Sequence, residues 1–286
     1  MWFRRLEDFK DTHVPELPEV ETIARGLEPL LIADRFDRVS VLNPGSLKTD
    51  PGDLLDGLPG ATVQRVWRRA KLLLLSLEAD RHLVFHLKMT GKLFREETSG
   101  LEVDKHTRLV FHLASGGSLV FHDVRKFGYC RYLSTADLQS WPFFRSLGPE
   151  PLELSGQGFL ELLRHRRSRI KALLLNQEVI AGIGNIYADE SLHQAGIHPA
   201  AIASELEPSR LLRLYGGLQM VLQQALEAKG SSFRDYVDGL GRPGSYQEAF
   251  QAYGRAGQPC HTCGCRLRSD RVAGRSSVYC PECQTG

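Results

Sequence analysis

The 286-residue chain has no apolar run approaching the ~20 residues that a membrane-spanning helix needs. This argues against a helical integral membrane protein. The opening Met1-Trp2-Phe3-Arg4-Arg5-Leu6-Glu7-Asp8 lacks the apolar centre of a secretory signal and carries acids, so a cytoplasmic location is expected. Cysteine is scarce, six in all, and five of those crowd the C-terminal end. In a reducing compartment such a cluster reads as metal ligation and not as a disulfide framework. The net charge of +2 is too small to demand a polyanionic partner.

What is present is unevenly spread. Arg164, Arg166, Arg167, Arg169 and Lys171 form a run without an acid, and Arg266, Arg268, Arg271 and Arg275 face only Asp270 and Glu282. Local basic surfaces suit phosphate contact, although a solvated helix face with a basic tail is the plainer alternative.

The length allows two domains, each with a core. From Pro18 to Leu31, the residues Val20, Ile23, Leu27, Leu30 and Leu31 recur at helical spacing, with Pro18 in the first turn. A strand-rich zone follows. Leu83-Val84-Phe85-His86, Leu109-Val110-Phe111-His112 and Leu119-Val120-Phe121-His122 are short, β-branched or aromatic segments, as in an antiparallel sandwich. Their histidines read as ordinary sheet residues, since no carboxylates cluster with them. Leu147-Gly148-Pro149-Glu150-Pro151 is a turn-rich linker. Beyond it the pattern turns helical, with Leu211, Leu214, Leu218, Val221, Leu222 and Leu226 on one long helix that Gly230 can close.

Cys260-His261-Thr262-Cys263 and Cys280-Pro281-Glu282-Cys283 are C-x2-C pairs separated by 16 residues, the spacing of a zinc ribbon. Four thiolates leave no open position, so one structural zinc is expected, standing in for a core this segment lacks. Free or disulfide-bonded cysteines are the alternative. Cys265 should be turned away from the site by the knuckle at Gly264, and Cys130 reads as a small buried hydrophobe.

The segment Pro15-Glu16-Leu17-Pro18-Glu19-Val20-Glu21-Thr22 resembles the mature N-terminus of the formamidopyrimidine-DNA glycosylases, bacterial base-excision repair enzymes. Further stretches agree in order: Arg68-Arg69-Ala70-Lys71, His86-Leu87-Lys88-Met89-Thr90-Gly91, Asp123-Val124-Arg125-Lys126-Phe127-Gly128, the Leu147 linker, Gly182-Ile183-Gly184-Asn185-Ile186-Tyr187-Ala188, Tyr253-Gly254-Arg255 and the zinc ribbon. The resemblance implies an α+β protein with an N-terminal helix-flanked antiparallel β-sandwich over 15–147. A helical helix-two-turn-helix domain over 148–250 and a zinc β-ribbon over 251–286 would follow, with double-stranded DNA in the cleft. It implies excision of oxidised purines and strand cleavage by β,δ-elimination, and its asymmetric cleft suits a monomer.

The resemblance also implies roles. Pro15 would be the amine nucleophile that forms a Schiff base with the sugar, and Glu16 the proton donor, with Glu19 in support. Lys71 would act near the lesion phosphate, and Arg275 would hold phosphates and assist the second elimination. Met89, Arg125 and Phe127 would fill the space left by the everted base, Phe127 as a wedge and Arg125 as reader of the orphaned cytosine. Leu17, where the oxidised-pyrimidine branch has glycine, and this triad favour the purine branch. His106, Arg167, Lys171 and Asn185 would contact DNA, with Gly182 and Gly184 letting backbone amides approach phosphate. Gly230 to Tyr236 would close over the everted base as a lid.

One departure stands out. The family's proline is the first residue of the mature chain, whereas here thirteen residues and Val14 precede it. In that form the Pro15 nitrogen is an amide with its lone pair delocalised. The expectation is initiation at Val14 and removal of the initiator, which makes residues 1–14 a non-native extension. A lesion binder without lyase activity is the competing reading.

Overall fold

The computed structural model describes residues 14–97, 103–232, 237–239 and 241–286. The expected N-terminal extension before Val14 lies outside the described residues, as do 233–236 of the expected lid.

Helix α1 (Leu17–Leu31) forms where the sequence pattern places it, with Pro18 in the first turn and Val20, Ile23, Leu27 and Leu31 buried. Strands β1 (Phe36–Val41), β2 (Val63–Arg69), β3 (Leu72–Leu77), β4 (Arg81–His86), β5 (Gly91–Glu96), β6 (Thr107–Leu113), β7 (Ser118–Asp123) and β8 (Tyr129–Ser134) follow, with a short helix α2 (Pro51–Gly57) after β1. They make two antiparallel four-stranded sheets, ordered β1-β6-β7-β5 and β2-β3-β4-β8. The three similar segments become β4, β6 and β7. Their phenylalanines all point into the space between the sheets, Phe85 lying 5.7 Å from both Phe111 and Phe121, ring centre to ring centre. Strand alternation therefore sends the neighbouring histidines to the outer faces. Cys130 is fully buried in the same core.

After α3 (Thr135–Ser140) and α4 (Pro142–Arg145), the linker is clasped from the sandwich side. Glu150 accepts hydrogen bonds from Arg68 Nη1 (2.7 Å), Arg69 Nη1 (2.8 Å) and the Ala70 amide (2.7 Å). The second domain holds α5 (Gly156–Leu163), α6 (Ile170–Leu175), α7 (Asn185–Ala195) and α8 (Pro208–Glu227). Helix α8 buries Leu211, Leu214, Leu218, Val221, Leu222 and Ala225 along one face. Its chain reverses at Gly230, where φ is 79° and the amide donates to the Ala225 carbonyl, a helix end that glycine makes inexpensive. Strands β9 (Arg268–Val272) and β10 (Arg275–Tyr279) form a hairpin whose own apolar core is little more than Cys260, Leu267, Val278 and Cys280. Among the described residues no helix is long and apolar enough to cross a membrane.

Candidate active site and DNA-facing cleft

A cavity of about 330 Å³ opens where the sandwich meets the helical domain and the ribbon hairpin. Val14, Glu16, Lys71, His86, Lys88, Asn185, Tyr253 and Arg275 are among the residues that line it. Pro15 is buried between Val14 and Glu16, its nitrogen bonded to Val14.

Glu16 is 2% exposed and makes its contacts across the domain boundary. Its carboxylate accepts the amides of Gly184 (2.6 Å) and Ile186 (3.0 Å) at the start of α7, capping that helix. A side chain at Gly184 cannot coexist with this, because a Cβ there would sit 2.3 Å from the Glu16 carboxyl carbon. The glycine was expected to open the turn to phosphate. That reading is corrected: the anion held by the Gly184 amide is the chain's own Glu16.

Burial pushes the Glu16 pKa up to about 7, despite the pull of the Lys71 charge and the two amides. A carboxyl poised there can carry a proton near neutral pH and surrender it to a leaving group. Burial also draws the Lys71 ammonium below its ordinary pKa, partly offset by Glu16 and Glu19 and reinforced by Arg275. Glu19, also buried, accepts from Tyr187 Oη (2.5 Å), the Ser231 amide (2.8 Å) and the Glu16 amide (3.0 Å). It therefore ties α1 to α7 and to the start of the expected lid.

His86 is a sheet histidine, the last residue of β4, and it also stands at the cavity wall. Its Nδ1 accepts the Lys88 amide (3.1 Å), which in the neutral ring leaves the hydrogen on Nε2. Burial and the flanking Lys88 and Lys71 charges push its pKa down to about 3, so the ring is neutral across the working range. Tyr253 and Lys88 line the same cavity without having been assigned a role. The available signal was strand parity, because a residue beside a core phenylalanine at a strand end must face outward.

Met89 and the pair Arg125 and Phe127 occupy neighbouring turns of the sandwich, after β4 and after β7. The Arg125 guanidinium lies 4.9 Å from the Phe127 ring centre, and Phe127 is 53% exposed. Asp123, fully buried, braces both turns. It accepts the Gly128 amide (2.7 Å), the Arg125 amide (3.1 Å) and the Thr90 hydroxyl, while its carbonyl takes two bonds from buried Arg108. Lys88 and Lys126, at the tips, adopt left-handed φ of 52° and 61°, a cost that this bracing offsets. His106 is half-buried on the next edge, its ring 5.7 Å from His122, which bonds Asp104. Arg167 is exposed in the basic stretch before α6. Lys171 is the second correction: it is entirely buried against Asp189 and therefore cannot lie on DNA phosphate in this conformation.

The sulfur atoms of Cys260, Cys263, Cys280 and Cys283 all lie within 4.8 Å of one another, with Cys263–Cys280 at 3.4 Å and Cys260–Cys283 at 4.0 Å. Four thiolates around a tetrahedral zinc stand roughly 3.8 Å apart, so the set fits that ion. Cys265 is not in the cluster, in keeping with the knuckle at Gly264, and His261 instead pairs with Gln251.

Family models match in the same order as these parts: the formamidopyrimidine-DNA glycosylase N-terminal domain at 14–130, the H2TH domain of that glycosylase at 147–237, and the zinc finger found in FPG and IleRS at 257–286. The chain belongs to the formamidopyrimidine-DNA glycosylase family. Relatives in this family include the Moorella thermoacetica glycosylase, 46% identical over 88% of this chain and 92% of its own length. The Desulforamulus reducens glycosylase is 43% identical over 95% of this chain and 99% of its own. A solved structure of Lactococcus lactis Fpg in complex with abasic-site DNA superimposes with a TM-score of 0.88, at 35% identity, covering 95% of this chain and all of that one. The same glycosylase bound to N7-benzyl-Fapy-dG DNA scores 0.88 at 36% identity and the same coverage. The helix-flanked sandwich, helical domain and zinc ribbon are this family's α+β fold, and the four cysteines are its structural zinc site.

Proposed function

We propose that the protein is a bifunctional DNA glycosylase and abasic-site lyase that removes oxidised purines from double-stranded DNA. The observation that carries this reading is the Glu16 carboxyl, its pKa raised to about 7 inside a cavity it shares with Lys71 and Arg275. The Lactococcus lactis relative, solved on N7-benzyl-Fapy-dG DNA and on abasic-site DNA, supports the substrate class.

The chemistry follows from the groups present. A free secondary amine at Pro15 attacks the anomeric carbon of the damaged nucleotide, and the base leaves with a proton from Glu16. The proline nitrogen loses its proton, and the C1′–O4′ bond of the sugar then breaks with O4′ protonated from Glu16. The ring-opened iminium that results acidifies the neighbouring C2′, so loss of a C2′ proton and then of the 3′ phosphate cleaves the strand. Lys71, depressed by burial, exchanges protons more readily than an exposed lysine. Arg275 steadies the phosphate that departs second, and Asn185 and Arg167 contribute backbone contacts. Phe127, Met89 and Arg125 hold the duplex open once the base is everted. The zinc folds the ribbon and takes no part in the reaction. The domains divide near 147 and 250, the protein acts as a monomer, and its place of action is the bacterial cytoplasm, where the genome lies.

All of this requires Pro15 nitrogen to be an amine. Joined to Val14 it cannot form the Schiff base, and the chain would bind lesions without cutting them. Borohydride trapping on a duplex with 8-oxoguanine opposite cytosine tests the reading. A form freed at Pro15 should give a covalent adduct and the full-length chain none. Absence of adduct from the freed form would overturn it.

A further inference from the structure

Arg164, Arg166, Arg167 and Arg169 are all exposed, whereas Lys171 turns inward. Its ammonium donates to Asp189 Oδ1 (2.6 Å), to Ser277 Oγ (2.7 Å) and to the Ser276 carbonyl (3.0 Å). The other Asp189 oxygen accepts the Val278 amide (3.1 Å), and Asn185 Nδ2 reaches the same Ser276 carbonyl (3.0 Å). Helices α6 and α7 are thereby fastened to β10 at the three residues that follow Arg275. Arg275 itself is exposed at the cavity, near enough to Lys71 for its charge to be felt there.

Stability alone does not account for this arrangement. A buried ion pair carries a desolvation cost, and apolar residues of similar volume often hold a fold as well or better. A two-stranded hairpin with a four-residue core is, however, marginal by itself. What polar bonds to β10 add is a fixed place for the strand. Apolar packing would let the hairpin slide or twist, whereas bonds to one carbonyl, one hydroxyl and one amide specify its register and angle. Asn185, bonded to the same carbonyl, shares that reference point.

We propose that Lys171 and Asp189 are positioning residues that lock the ribbon's second strand onto the helical domain, so that Arg275 and Asn185 hold their places at the cavity. The consequence for chemistry rests on the reading of Arg275 given above. Losing the lock should impair the second elimination more than base excision, because Glu16 and Pro15 are held by α1 and α7 and not by the ribbon.

The test is the double variant Lys171→Met/Asp189→Leu, which removes both charges together and leaves neither stranded. Hydrogen exchange on the zinc-loaded full chain should show protection of the 276–279 amides falling by about tenfold or more, with zinc content unchanged. In the form freed at Pro15, the singly eliminated product should accumulate over the doubly eliminated one by about tenfold, while borohydride adduct yield on abasic DNA stays level. Adding Arg275→Ala to the double variant should shift the ratio no further, which a merely structural role would not produce. Unchanged protection of β10 overturns the proposal, as does an unchanged ratio where Arg275→Ala alone shifts it. A proportional loss of every activity also overturns it. If Arg275→Ala alone leaves the ratio unmoved, the reading of Arg275 fails, and the exchange result then decides the positioning role by itself.

Discussion

The turns that carry Phe127 and the domain boundary that holds Glu16 use the same device, a buried carboxylate, for opposite ends. On the sandwich side a buried carboxylate, Asp123, gathers backbone amides so that other groups can stand out in solvent, Phe127 among them. At the boundary with the helical domain a second buried carboxylate, Glu16, gathers amides and is itself the proposed proton donor. A group that wedges between base pairs needs rigidity and exposure, while one that trades protons needs a dry environment that shifts its pKa. The contrast separates lesion capture from chemistry and says where each can be damaged alone.

The chemical side should break most sharply. Glu16→Gln should lower base excision by about a hundredfold to ten-thousandfold, the usual worth of a general acid, with lesion binding retained. Gly184→Ala should approach the same loss through displacement of the Glu16 carboxylate, and gel-shift and cutting assays on one substrate would separate binding from chemistry. Zinc removal by a chelator should abolish tight DNA binding by unfolding the ribbon, while the sandwich keeps its core signature in near-ultraviolet circular dichroism.

The wedge side should fail more gently and more selectively. Asp123→Asn retains shape but turns one of the two acceptor oxygens into a donor, so that it can serve either Gly128 or the pair Thr90 and Arg125 but not both. It should slow excision of 8-oxoguanine by about tenfold to a hundredfold. Cleavage of a preformed abasic site, which needs no intact base everted, should change little. Equal losses on both substrates would erase the distinction between the two sides.

The smallest effect is on pH dependence. Excision should decline as pH rises through about 7 and Glu16 gives up its proton. The same raised pKa means that its contribution to stability is complete below about 4.5 and is lost as pH rises through about 7. Glu16→Gln should therefore gain stability over the parent above pH 7, by up to roughly 3 kcal/mol, and none below 4.5. Thermal melts at both ends of that range check the sign.

What was legible in the sequence was what depends on spacing along it. The two C-x2-C pairs, the heptad-like face of α8 and the Phe-His strand endings all carry their meaning within a few residues, so zinc site, long helix and sandwich followed from them. Lys171 was misread because the partners that bury it lie 18 and 106 residues away. Gly184 was misread for the same reason, its anion lying 168 residues earlier. A basic residue in a basic run and a glycine before a helix each have a common surface use, and only tertiary pairing overrules it. Whether Pro15 can act as the nucleophile proposed for it is a matter of covalent bonding that the fold does not alter.

The bonds from the Pro15 segment into α7 carry a consequence for how such proteins can be rearranged. Leu17 donates to the Gly182 carbonyl, Glu16 caps α7, and Glu19 reaches Tyr187 and Ser231, so the first helix of the sandwich is stitched to the second domain along its opening turn. The two halves are therefore not interchangeable modules. A chimera that joins this sandwich to another helical domain would inherit both cores intact and still lack the proton donor proposed at Glu16, because that carboxyl's setting belongs to neither half alone.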